Sequence, residues 1–217
     1  MDLKNLYEQR FPERELAQKN AIWQVLCRHF FNRFVQPGDT VVDIGAGYCE
    51  FINNIECRVK YAVDLNPNVK RFANPGIHVI NEPCTAVATL ASDSVDVVFM
   101  SNFLEHLPSK AAVLDTFREA HRILRPGGRI VVLQPNIRFL YDEYWDFFDH
   151  HTPLSDRSLG EGLSLAGFEV RTLIARFLPY TTKSRLPKAS VFVRLYLALP
   201  LAWRVLGKQA LAVGVKP

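Results

Sequence analysis

The chain has 217 residues, of which 48% are hydrophobic and 22% charged, with a formal net charge of +4. That length suits one domain with a sizeable core, and the composition is ordinary for a globular protein. The four cysteines, Cys27, Cys49, Cys57 and Cys84, show no CxxC spacing, which excludes a zinc or disulfide framework and leaves buried thiols. No uncharged apolar run reaches the about 18–20 residues of a membrane span, and no secretory leader opens the sequence, so a cytoplasmic protein is expected. The charge is unevenly spread: after Glu169 there are nine Lys or Arg residues and no Asp or Glu, so the first 169 residues carry a balance of −5. A basic C-terminal quarter on an acidic body points to an anionic partner surface.

In chain order, Phe11-Pro12-Glu13-Arg14-Glu15 opens a helix, with a proline suited to the first turn and acids after it. Leu16, Ile22, Trp23, Leu26, Phe30 and Phe34 recur at helical spacing through about Phe34. After the turn Gln36-Pro37-Gly38-Asp39, residues 40–44 form a β-branched strand that runs into Asp43-Ile44-Gly45-Ala46-Gly47. Glycines permit positive φ and close ligand approach, and the helix start beyond them offers unpaired N–H groups. Such a corner binds a small polar ligand at the carboxyl end of a parallel strand. A dinucleotide fingerprint wants a third glycine where Glu50 stands, and Asp43 suits a cationic or amino-bearing ligand better than a phosphate. A second strand, 60–63, ends at Asp64, where a carboxylate can accept both ribose hydroxyls. Strands follow at 77–81 and 94–98. A helix at 111–124 buries Val113, Leu114, Phe117, Ala120, His121 and Leu124, and 125–129 leads into a strand at 130–133. A helix at 154–166 capped by Gly167, and strands at 168–178 and 209–215, complete the series.

The stretch Asp43-Ile44-Gly45-Ala46-Gly47-Tyr48-Cys49-Glu50-Phe51 resembles motif I of the class I S-adenosylmethionine (SAM)-dependent methyltransferases. Asp64 matches the second motif of that family. The run from Ser94 through Ser101-Asn102-Phe103-Leu104-Glu105-His106-Leu107 resembles the fourth, and Leu124-Arg125-Pro126-Gly127-Gly128 is another match. The resemblance covers roughly residues 40–168. It implies one α/β domain over 1–217: a doubly wound, Rossmann-like, seven-stranded mixed sheet with the seventh strand antiparallel. A helical lid at 1–36 would precede it, and a helical insert at 179–208, between strands six and seven, stands where family members often have only a hairpin. The implied cofactor is SAM, with S-adenosylhomocysteine as product. Asp43, Gly45, Ala46 and Gly47 would hold its methionine part and Asp64 its ribose. Leu65, Cys84 and Thr85 would line the adenine, and Ser101 and Asn102 would sit near the methyl. Cys84-Thr85 departs from the acid-plus-small pair usual beside the adenine. In the family a leading helix covers the cofactor cleft, so Tyr7, Arg10 and Phe11 are candidates to close over it. Two alternatives stand beside this reading: a SAM-binding subunit without catalysis, and a nicotinamide-dependent dehydrogenase, which Glu50 disfavours.

Residues 134–152 interleave Tyr141, Tyr144, Trp145, Phe147 and Phe148 with acids and His150-His151, and are expected to form an acceptor-site lid. An acceptor hydroxyl needs a base, and His150, His106 and His151 are the candidates, with Asp146 or Asp149 placed to orient His150. No metal is expected, because the ends of strands four and five carry Ser101-Asn102 and Gln134-Pro135-Asn136 rather than acids. Nucleic-acid N-methylation is disfavoured, since the Asn or Asp-Pro-Pro-aromatic signature is missing and no RNA-binding signature accompanies the basic tail. In the insert, Lys183, Arg185, Lys188, Arg194, Arg204 and Lys208 punctuate an apolar helix at 191–206, with Phe192, Leu195, Tyr196, Leu199, Trp203 and Leu206 on one face. That helix suits a peripheral membrane contact through 183–208; packing on the sheet edge or on a second subunit in a homodimer is the alternative. The pattern also resembles bacterial methyltransferases of cell-surface glycan assembly, which implies a small-molecule, sugar or lipid-linked glycan acceptor.

Overall fold

The computed structural model describes residues 13–180 and 190–217. Its centre is a seven-stranded sheet of order β3-β2-β1-β4-β5-β7-β6. The strands are β1 (Thr40–Ile44), β2 (Val59–Val63), β3 (Ile77–Ile80), β4 (Val95–Ser101), β5 (Leu124–Pro135), β6 (Glu169–Ile174) and β7 (Gln209–Val215). The first five pair in parallel, and β7 lies antiparallel between β5 and β6. The strand order reverses between β1 and β4, and ligands of doubly wound sheets sit at that switch point.

Successive strand residues face opposite ways, so each central strand feeds two cores. Val42, Ile44, Val98, Met100, Ile130 and Val132 face one side, where α4 (Lys110–Ile123) and α6 (Asp156–Leu165) cover them. Val41, Val97, Phe99, Val131 and Leu133 face the other, under α1 (Glu13–His29) and α2 (Glu50–Asn54). An aromatic stack fills that second core: the Phe51 and Phe99 rings lie 3.5 Å apart, with Trp23 and Phe31 edge-on to both. Two short helices, α3 (Val69–Phe72) and α5 (Ile137–Leu140), complete the body. In the insert lie α7 (Ser190–Ala198) and α8 (Pro200–Leu206).

Several boundaries differ from the expectation. The N-terminal helix stops at His29 and gives way to a 3₁₀ turn at Phe31–Arg33 instead of continuing to Phe34. Phe30 and Phe31 are both buried, and a regular helix would swing successive side chains about 100° apart. Strand β5 is longer than 130–133, because the Arg-Pro-Gly-Gly segment stays extended and Gly127 N–H bonds Lys216 O at 2.8 Å. Strand β6 is shorter than 168–178, its chain leaving the sheet after Ile174. The single insert helix expected at 191–206 is two helices, broken at Leu199 because Pro200 cannot donate into a continuing turn and instead starts α8. The expected face is split as well: Tyr196 and Trp203 turn inward, while Phe192, Leu195, Leu199 and Leu206 remain exposed. Tyr7, Arg10 and Phe11 lie outside the described residues, as do Lys183, Arg185 and Lys188.

Candidate active site

The bend after β1 is built from backbone. Gly45 and Gly47 take φ of +73° and +51°, and Cys49, the residue before α2, takes +60°. The loop is tied to the next strand by Gly45 N–H and Ala46 N–H, which both donate to Val63 O. The ring of Phe103 lies directly over Gly45, so closely that an added Cβ would fall 2.3 Å from Phe103 Cδ2. Only glycine fits there.

Acids surround this bend. Asp43 is 3% exposed, and its pKa is raised well above the usual carboxylate range, first by burial and then by the charges of Glu50 and Asp64. Asp64, half-buried at the end of β2, accepts from Gly47 N–H at 2.8 Å on one oxygen and from Asn66 N–H at 2.8 Å on the other. Burial raises its pKa too, against those two hydrogen bonds. Across the switch point, Asp43 pairs with Phe99 and Ile44 with Met100, which brings Ser101 and Asn102 beside the glycine bend. Asn102 is held at φ +47°, and its N–H donates to Leu133 O at 2.9 Å. Its amide nitrogen bonds Ser101 Oγ at 3.1 Å, and its buried Oδ1 has no hydrogen-bond partner. Acceptors therefore converge from three strand ends, and one of them lacks a donor. That set fits the ammonium, sulfonium and ribose hydroxyls of SAM and does not suit a pyrophosphate. Leu65 is exposed beside Asp64. Cys84 is half-buried with Sγ 3.3 Å from Thr116 Oγ1, and Thr85 is exposed next to it.

A second group assembles at the same sheet edge. After Asn102 a 3₁₀ turn, Leu104–His106, presents Glu105 inward and His106 toward the segment after β5. His106 Nδ1 lies 3.2 Å from Asp149 Oδ2 and 3.1 Å from the Asp149 carbonyl, while its Nε2 is 4.0 Å from Glu105 Oε1. Burial pulls the His106 pKa down, but the Asp149 hydrogen bond and the Glu105 charge outweigh it and leave the imidazole raised above 6.5. Glu105 is 1% exposed and raised by burial, and it accepts from Gln134 Nε2 at 2.9 Å. His150 is buried with its ring centroid 5.2 Å from that of His106, stacked on Phe147 and beside Tyr144. The Tyr144 hydroxyl donates to Thr152 O at 2.8 Å, and the N–H groups of His151 and Thr152 both donate to Glu105 O. The segment after β5 is thus pinned to the turn after β4.

Of the three expected histidines, the structure brings His106 and His150 together and leaves the His151 ring exposed. Asp149 pairs with His106. Sequence reasoning gave no role to Glu105 or Gln134; the only signal was the adjacency of Glu105 to His106. Glu105, His106 and His150 also form a donor set able to hold a metal, with ligand atoms all within 4.8 Å of one another.

Residues 42–132 match the model of a methyltransferase domain family. No curated protein sequence matches the chain. Among solved structures, a SAM-dependent methyltransferase from Archaeoglobus fulgidus superposes with a TM-score of 0.69 at 20% identity, covering 100% of both chains. A SAM-dependent methyltransferase from Thermotoga maritima gives 0.67 at 20% identity over 98% of this chain and 95% of that one. A chain from the Haloferax volcanii complex of the Trm112 methyltransferase activator with a methyltransferase gives 0.70 at 21% identity, covering 94% and 93%.

Proposed function

We propose that this chain, whose residues 42–132 match a methyltransferase domain model, is a class I SAM-dependent methyltransferase that methylates a hydroxyl of a small-molecule, sugar or lipid-linked glycan acceptor, with His106 as the base. Bound SAM supplies an already activated methyl group, so the protein's task is positioning and proton removal. The glycine bend and Asp43 take the methionine end. Asp64 takes the ribose through the lone pairs not used by Gly47 and Asn66, and Leu65, Cys84 and Thr85 lie where the adenine would rest. Ser101 and Asn102 border the methyl.

The observation that carries the reading is the His106–Asp149 pair. A carboxylate on Nδ1 fixes the tautomer with the proton there and leaves the Nε2 lone pair to receive the acceptor's proton. The imidazolium so formed is stabilised by Asp149 and Glu105. His106 is only partly buried, so its ring remains within reach of an acceptor, whereas His150 supports it from behind.

Replacing His106 by Ala should lower methyl transfer by about 10²–10⁴-fold while SAM affinity by calorimetry stays unchanged. The assay follows labelled methyl into a cell extract, which also supplies any activator of the kind solved with the Haloferax neighbour. Undiminished turnover in the variant rejects His106 as base. The donor set of Glu105, His106 and His150 favours a second reading, a bound divalent metal polarising the acceptor. Stoichiometric metal in the purified protein, lost with His150→Ala, would select it over the free base.

A further inference from the structure

The two helices of the insert have unlike faces. The inner face is fixed to the body. The Tyr196 hydroxyl donates to Phe177 O at 2.5 Å, and the Trp203 indole N–H donates to Tyr196 O at 2.8 Å. The Trp203 ring lies edge-on to Phe30 and Phe177, at 5.9 and 5.0 Å between centroids. Leu197 is buried on the same side. On the outer face, Val191, Phe192 and Leu195 of α7 and Leu199 at the break are exposed. Beyond the break at Pro200, Leu201 and Val205 of α8 are 74% and 70% exposed. Because Tyr196 and Trp203 are committed inward, the helices cannot roll to bury these residues without breaking those contacts. Exposed large apolar residues gathered along these two neighbouring helices mark an interaction site.

Charge selects the occupant. Arg194 and Arg204 stand exposed among the apolar residues, and the sequence beyond Glu169 holds no acid. A second copy of this face would set cation against cation. An interface of anionic headgroups over acyl chains complements both components. We propose that α7 and α8 form a membrane-docking face that lies in the headgroup region of an anionic bilayer. Docking is peripheral: among the described residues no helix is long and apolar enough to cross a membrane.

The site is joined to this face. Lys208, which follows α8, places Nζ 2.5 Å from Glu143 Oε1 of the lid, and the Phe147 and Tyr180 rings lie 6.1 Å apart. The lid adds Trp145 and Phe148, 59% and 84% exposed.

Flotation of the full chain with phosphatidylcholine vesicles, with and without phosphatidylglycerol, tests the proposal. The protein should float with the anionic vesicles at low salt and leave them as salt screens the headgroups. Leu201→Glu with Val205→Glu should weaken flotation by at least about tenfold, because each substitution removes a buried apolar side chain from the interface. Melting temperature and SAM affinity should not change, since both positions point away from the body. His106→Ala should float like the parent, so a failure of docking and a failure of catalysis read separately. Protein that stays soluble with both vesicles overturns the proposal, as does unchanged flotation of the double variant. A concentration-dependent dimer abolished by the same substitutions would give the face to a second copy and overturn it too.

Discussion

The glycine bend and the histidine cluster share one sheet edge but are made differently. The bend is a handful of consecutive residues whose shape comes from backbone dihedrals and from two N–H bonds to Val63. The cluster is side chains drawn from far apart: His106 and Asp149 are 43 residues distant, and Gln134 reaches Glu105 from the end of β5. A site of the first kind fails all at once when its backbone is disturbed. A site of the second kind can be tuned one group at a time.

Three substitutions break or sharpen that contrast, in falling order of effect. Gly45→Ala demands φ +73° of a non-glycine residue and drives a methyl to 2.9 Å from Phe103 Cβ, a clash that rotating the ring cannot relieve. The cost should be about 2–4 kcal/mol, seen as a loss of SAM affinity of at least about thirtyfold. Affinity near that of the parent would mean that the bend is not rigid.

Asp149→Asn acts on the cluster alone. Asp149 stabilises imidazolium, so its loss lowers the His106 pKa, and the acid limb of kcat/KM should move to lower pH while calorimetric SAM affinity holds. Turnover at neutral pH should fall about tenfold or more, because the tautomer is no longer fixed. A limb that stays in place separates His106 from the titration.

Asp43→Asn tests the acids beneath the bend. A carboxyl whose native pKa is raised favours the protonated form; its contribution to stability is full below 3.8 and is lost as pH rises through the native value. At neutral pH the substitution should therefore raise the melting temperature, by about 2–4 °C for each kcal/mol of relieved charge in a domain of this size. It should also weaken SAM, because the cation loses its buried counter-charge. A lower melting temperature would mean that Asp43 is held chiefly by its bond from the Ile52 backbone.

What could be read in advance follows the same division. Strands β1 and β7 match the expected 40–44 and 209–215 residue for residue, because β-branched or alternating apolar runs between turn signals have one period and clear ends. The place of Asp64 just beyond β2 was legible because the apolar run stops there. The pairing of Asp149 with His106 was not, since Asp149 stands next to His150 in sequence and only the tertiary fold carries it to the turn after β4. The helical insert was legible but its break was not: apolar residues at helical spacing run straight across Pro200, and periodicity alone does not show which side turns inward once the helix breaks there.

The position of β7 has a consequence for how the molecule is made. Among the described residues strand β6 pairs with β7 and with no other strand, and β7 follows it in the chain. A nascent chain holding the first six strands closes the five parallel ones and leaves β6 with no neighbour on either side. The backbone of Lys216 brackets Gly127 and Gly128, so a chain cut within β7 would keep the five parallel strands paired and leave β6 open to aggregation.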